Sequence, residues 1–291
     1  MYARYTRKEG HPDIIHAQSF FYAGLITQLL KTNHPCPIIL TEHDSNFMGN
    51  LLSEKRKALV KKHLGEFGQV IAVSHALAEK LDGYPLAKKT CVVGNLVDTE
   101  FFNIEKHVKN AWPFTFAILA NLDKNKSVDI AVKAFYKAFN KKDNVHLIII
   151  GNGPEKSTIE EMISRYGLEK QIILQDFLNR DELLELYKKA HVVFSTSEFE
   201  TFGLTLAEAL SCGIPVISTR SGGPQDFING DVGLLVDVGD IVSLSEAMLS
   251  IFQNYSRYSP SKIRSYLIKN YSRERIINQL VAIYNEELSQ I

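Results

Sequence analysis

Glu200 and Glu208 stand eight positions apart in EFETFGLTLAEALSCGIPVIS, residues 198–218. Glu208 is the single charged residue between Glu200 and Arg220. The segment reads as strand end, loop and helix. A carboxylate placed just before a helix start complements the helix dipole. Gly203 at the same point lets an anion reach free backbone N–H groups. Glu208 shares a helix side with Leu204, Ser211 and Cys212. A lone carboxylate on a mostly covered helix needs a partner, and ligand hydroxyls would serve. The spacing suits two parts of one ligand better than a pair of carboxylates sharing acid–base work.

Three further loops have comparable chemistry. ILANLDKNKSVD (118–129) sets Lys124 and Lys126 ahead of a helix for which Ser127 is the expected N-cap. Lysine there opposes the helix dipole, and an anion would remove the conflict; two solvated loop lysines are the alternative. IIIGNGPEKSTIEE (148–161) places Gly151 and Gly153 in a tight turn before Pro154. GNGP is not GxGxxG, so the choices are an ordinary turn or a wall for a nucleotide base. STRSGGPQDFI (218–228) repeats the pattern with Gly222 and Gly223, again a turn or a point of close backbone approach. A nucleotide with a diphosphate and two sugars would use all four loops.

Nearer the N-terminus, PDIIHAQSFFYAG (12–24) and IILTEHDSNF (38–47) each end a strand with a histidine. His16 reads as a capped core residue and His43 as a residue facing a cleft. Ser74 reads as an N-cap. LLSEKRKALVKKHLG (51–65) carries five cations among leucines and valine. It is either a solvated helix face or a weak contact with anionic lipid.

Parallel strands must hold these loops. Short β-branched runs recur at 37–40, 69–74, 90–94, 114–120, 145–151, 171–177, 191–197, 215–218 and 233–238. They are continuous rather than alternating, as strands buried on both faces are. Helical patterns intervene at 128–139, 181–190 and 243–252. The alternation predicts an α/β protein with helices on both faces of parallel sheets. The polar run NIEKHVKNAWP (103–113) interrupts the rhythm. It divides the chain into an N-terminal lobe over 1–108 and a second over 109–270, with the final helix, within 271–291, joining the first.

Lysine plus arginine equals aspartate plus glutamate, 33 each, which argues against bulk nucleic-acid binding. Cys36, Cys91 and Cys212 form no CxxC, so neither a disulfide framework nor a zinc site is expected, and a reducing compartment fits. The N-terminus has no apolar signal core, and no apolar run reaches membrane-span length. The expected location is cytoplasmic, with the inner membrane face kept open by the 51–65 stretch.

The combination of E-x7-E, GGP after the next strand, GNGP, NLDKNKSVD and VVGNLVDTEFF (92–102) resembles glycosyltransferase family 4 over nearly the whole chain. That resemblance implies the GT-B fold of two Rossmann-like domains and a retaining sugar transfer from a nucleoside diphosphate sugar. It implies that Glu200 contacts the donor sugar and Glu208 the ribose. Backbone N–H groups around Phe202, Gly203, Leu204 and Thr205 would hold sugar and diphosphate, with Gly151, Gly153, Gly222 and Gly223 in the substrate-binding loops. Lys126 would neutralise the diphosphate, and His43 would line the donor sugar. No metal and no cofactor are implied; the sugar nucleotide is a co-substrate. The acceptor would be a sugar or lipid-linked, in cell-surface polysaccharide or glycolipid synthesis.

Two departures stand out. Asn121 occupies the place where the family pattern has arginine. The first lobe is also shorter than the pattern, so a truncated, catalytically impaired sugar-nucleotide-binding protein is the alternative. A phosphorylase or epimerase on the same fold is a third reading.

Overall fold

Among the described residues, ten short strands build two separate parallel sheets. The computed structural model describes residues 2–28, 36–49, 51–103, 113–140 and 144–290. The chain divides into two units, Met1–Asn95 with Glu274–Ile291, and Leu96–Arg273.

In the first unit the elements run α1 (Tyr2–Glu9), β1 (Ile15–Gln18), α2 (Leu25–Gln28), β2 (Ile38–Glu42), α3 (Glu54–His63), β3 (Gln69–Ala72), α4 (His75–Leu81) and β4 (Cys91–Val92). The strands lie in the order β1-β2-β3-β4, all parallel. Every residue of β2 and β3 is buried, which explains their unbroken apolar runs. Ser74 caps α4 as expected, its hydroxyl accepting from Leu77 N–H at 3.2 Å. The C-terminal helix, Arg273–Leu288, contributes Tyr284 and the buried Glu287, whose carboxylate pairs with Lys88.

His16 departs from its expected place. It lies inside β1, paired in register with Ile39, rather than at a strand end. Its ring bridges Thr41 at 2.7 Å and the Tyr284 hydroxyl at 2.6 Å.

In the second unit β5 (Phe114–Leu119), α5 (Val128–Phe139), β6 (Val145–Ile150), α6 (Lys156–Arg165), β7 (Ile172–Gln175), α7 (Arg180–Lys189), β8 (Val192–Ser195), α8 (Leu204–Ser211), β9 (Val216–Thr219), β10 (Gly233–Val236), α9 (Ile241–Gln253) and α10 (Pro260–Tyr271) follow. The sheet order is β10-β9-β8-β5-β6-β7, all parallel. The order reverses between β5 and β8, and ligands of open α/β sheets sit at such a switch point. Phe116, Phe135, Phe139 and Phe194 fill the core on either side of it.

The division between units falls at 95/96 rather than near 108, and the packing of Leu96–Asn103 explains why. Val97 N–H donates to the Tyr271 carbonyl at 3.2 Å. The Phe102 ring meets Tyr187 edge to face at 5.8 Å. The Arg264 guanidinium donates to the carbonyls of Thr99, Phe102 and Ser211. These contacts fix the segment to the second unit. Residues 104–112 of the expected connector lie outside the described residues.

Candidate functional site

The loops that leave β5 and β8 at the switch point are sewn together before either contributes a functional side chain. Asn125 does most of the sewing. Its carbonyl oxygen accepts from Glu198 N–H at 2.7 Å, its side-chain oxygen from Phe199 N–H at 3.0 Å, and its amide donates to the Phe199 carbonyl at 3.1 Å. Thr196 adds a bond to the Lys126 carbonyl at 2.7 Å. On the other side, Glu200 and Gly222 form a parallel bridge: Glu200 N–H donates to Ser221, and Gly223 N–H to the Glu200 carbonyl at 2.8 Å.

The glycines make this bracing geometrically feasible. A Cβ at Gly223 would collide with the carbonyl of Thr201. One at Gly151 would collide with the carbonyl of Ala120, and one at Gly153 with that of Leu122. Gly151, Gly153 and Gly223 therefore pack the loops against one another, Gly222 bridges Glu200, and none of the four lines the cavity those loops enclose. Gly203 does line it, and enters α8 with φ 95°, a left-handed conformation that favours glycine.

That cavity is about 380 Å³ in volume. Lys126, Glu200, Asn121, Gly203, Leu204 and Thr205 all line it, so the structure brings six of the sequence-predicted residues together. Lys126 Nζ and Glu200 Oε2 are 2.7 Å apart, each side chain about four-fifths buried. They are the only charged residues of the lining among those described. Lys124 lines a different hollow with Asp123 and Asp129. Ser127 does not cap α5: its φ is 45° and its hydroxyl donates to the Lys124 carbonyl instead. Asp123 supplies the nearby cap, accepting from Lys126 N–H at 3.1 Å.

Phe202 is 2% exposed and packs against Phe227 at a tilt and Tyr271 edge to face, so only its backbone is available to a ligand. Glu208 sits one turn into α8. Its partner is a protein group, the hydroxyl of the fully buried Tyr187, which donates at 3.1 Å and also reaches the Thr205 carbonyl. Burial lifts the Glu208 carboxyl from 4.5 to about 7, against the opposing pull of the Tyr187 hydroxyl and the Arg180 charge. Arg180 is itself held by Asp98 and stacks over Phe101 at 4.0 Å.

His43 belongs to the first unit. Its Nε2 donates to Gln18 Oε1 at 2.8 Å, and burial lowers its pKa. Helix α3 turns Val60 inward and leaves Lys55, Arg56, Lys61 and Lys62 exposed, beside an exposed Leu51. Among the described residues no helix is long and apolar enough to cross a membrane.

Sequence reasoning missed Asn125, Tyr187 and the pair Phe177–Leu178, which also line the cavity or brace it. Phe177–Leu178 follows β7 and precedes α7, so the strand-end rule applied to QDFLNRD points to it. Nothing local marks Tyr187.

Residues 99–274 match the family described as Glycosyl transferases group 1, and residues 1–101 match Glycosyltransferase Family 4. The N-acetyl-alpha-D-glucosaminyl L-malate synthase of Bacillus anthracis is 32% identical over 174 residues, which are 58% of this chain and 45% of that protein. The phosphatidylinositol N-acetylglucosaminyltransferase gpi3 subunit of Schizosaccharomyces pombe is 27% identical over 220 residues, 75% of this chain and 45% of its own length. The chain thus spans a little under half the length of these curated relatives. Among solved structures, Anabaena Alr3699/HepE in complex with UDP superposes with a TM-score of 0.86 at 19% identity, covering 98% of this chain and 81% of its own. The sucrose-phosphate synthase of Thermosynechococcus elongatus gives 0.85 at 21% identity, covering 100% and 77%. The two parallel sheets match the GT-B fold, and the chain belongs to the glycosyl transferases group 1 family.

Proposed function

We propose that the protein transfers a sugar from a nucleoside diphosphate sugar to an acceptor, with retention at the anomeric carbon. The observation that carries this reading is the Lys126–Glu200 pair in the cavity at the start of α8. A diphosphate needs cationic and N–H donors, and Lys126 with the first backbone N–H groups of α8 supplies both. Sugar hydroxyls need acceptors, and Glu200 supplies one. As the bond to the nucleotide breaks, negative charge grows on the departing phosphate, and Lys126 stabilises it where it develops. In this reading the lysine and the helix end provide the stabilisation that a metal ion provides elsewhere.

Glu208 accepts from the ribose hydroxyls, and Phe177 and Leu178 offer an apolar wall for the base. His43 offers its ring to a substrate hydroxyl. The complex of HepE with UDP and glucose supports UDP-glucose as the first donor to try. The acceptor in this reading is a sugar or lipid-linked, and the exposed lysines of α3 would meet anionic headgroups beside it.

The experiment is nucleotide release from a panel of donors with and without acceptor. Glu200→Ala is expected to abolish transfer while the chain still folds. Transfer at the unaltered rate in that variant sinks the assignment.

A further inference from the structure

Glu42 is a carboxylate with no exposure to solvent at the end of β2. No ion pair reaches it among the described residues, and backbone hydrogen bonds hold it instead. Oε1 accepts from His43 N–H and Asp44 N–H, both at 2.8 Å, and Oε2 accepts from Phe20 N–H at 2.9 Å. The first two donors lie in the loop after β2. The third lies in the π-helical turn Ser19–Gly24 after β1, where Ser19 takes a φ of 61°. A left-handed serine is costly unless its surroundings impose it. The next residue's N–H, that of Phe20, is held by the buried carboxylate. One side chain therefore ties the segments that follow two adjacent strands together by their backbones.

A second connection joins His43 to the end of β1 through side chains. His43 Nε2 donates to Gln18 Oε1 at 2.8 Å, and the Gln18 amide lies 3.2 Å from His16 Nε2. His16 is in turn held by Thr41 and Tyr284. With its proton on Nε2, a neutral His43 ring keeps Nδ1 as an acceptor for a hydroxyl. The backbone of His43 is set by Glu42 and its ring by Gln18.

We propose that Glu42 is a positioning residue: it acts on the reaction through His43, holding the histidine at the angle from which its ring meets a substrate hydroxyl. The proposal rests on the reading of His43 given above. A carboxylate is required because three N–H groups converge on it. A carboxamide at this position has one acceptor oxygen and turns an NH2 toward at least one of the three donors.

The test is a double-mutant cycle on the full chain, reading transfer rate and nucleoside diphosphate affinity in parallel. A residue that works through His43 loses its effect once the imidazole is gone; a residue that only supports the fold keeps it. Glu42→Gln is expected to lower kcat by roughly ten- to a hundred-fold, the range for a misplaced contact. In the His43→Ala background the same change is expected to cost less than about two-fold. Affinity for UDP should stay unchanged throughout, because the groups assigned to the diphosphate lie in the second unit. Equal losses in the two backgrounds would overturn the proposal, as would an undiminished kcat in Glu42→Gln. If Glu42→Gln does not fold, Gln18→Leu enters the same cycle, since Gln18 is exposed and its removal spares the backbone bonds. Gln18→Leu must then lower kcat only when His43 is present, and equal losses again overturn the proposal. A His43→Ala chain that binds UDP and transfers sugar normally removes the histidine's role and the proposal with it. A chain that binds no nucleotide at all instead refutes the donor site.

Discussion

In the proposed donor site, nucleotide-sugar affinity should rise with pH across neutrality, because Glu208 must lose its proton to accept from the ribose hydroxyls. Burial raises its carboxyl from 4.5 to about 7. At about 1.4 kcal/mol per pH unit, a shift of this size makes the charged form cost about 3 kcal/mol in the empty site. The raised value means that the folded chain binds more protons than the unfolded chain between those limits. Stability from this group is therefore complete below pH 4.5 and is lost as pH rises through 7. Ribose hydroxyls donate to a carboxylate, so binding favours the charged form and lowers the pKa in the complex. Below pH 7 the ligand then expels a proton as it binds. From about pH 6 to about pH 8 the affinity should rise about ten-fold and then level off. The assay is calorimetric titration with a nucleoside diphosphate sugar, a phosphodiester without the secondary ionisation near about 6 that terminal phosphates show. Glu208→Gln should bind more weakly at the alkaline end and lose the slope. The same variant should melt several degrees above the unaltered chain at about pH 8 and close to it at about pH 5. An affinity that is flat or falling across this range, or a slope that survives in Glu208→Gln, refutes the reasoning.

Two other outcomes follow from the loops and the ion pair. Gly223→Ala drives a Cβ into the Thr201 carbonyl and should cost about 1–3 kcal/mol in urea unfolding while dislodging Glu200 and stopping transfer; Gly230→Ala, which meets nothing within 4 Å, is the matched control and should change neither. Glu200→Gln releases Lys126 from its 2.7 Å partner and should tighten UDP binding several-fold in the same titration, and an affinity that weakens or stays put would contradict the pairing argument.

The strands and most helices were legible because burial on both faces leaves a continuous apolar run, and amphipathic helices leave a periodic one. The run VHLIIIG became β6, and VDIAVKAFYKAF became α5 residue for residue. Lys126, Glu200 and the start of α8 were legible for a different reason. A charged residue beside a helix start at a strand end is a local pattern, and the fold gathers such loops at one edge of the sheet. Long-range bonds escaped the reading. Tyr187 meets Glu208 across 21 positions and Asn125 meets Phe199 across 74, and neither partner changes the local pattern around the other. Ser127 was misjudged because Asp123, four positions earlier, caps the short turn that precedes α5. The polar run 103–113 sets the expected boundary near 108, whereas Arg264 and Tyr187 take Leu96–Asn103 into the second unit.

The ion pair gives the absence of arginine at 121 a physical setting. An empty cavity with two unpaired cations would hold desolvated like charges, a costly arrangement without an anion present. Here the single cation of the lining is already neutralised by Glu200, and Asn121 adds dipole without charge. A ligand that separates the pair must satisfy both halves. Phosphate alone satisfies Lys126 and strands Glu200; a free sugar satisfies Glu200 and strands Lys126. In the proposed donor site a diphosphate joined to a sugar satisfies both in one event, so the pair would discriminate in favour of the intact donor over either fragment. The selectivity comes from what is left unpaired by the wrong ligand, which costs more than the right ligand's contacts gain.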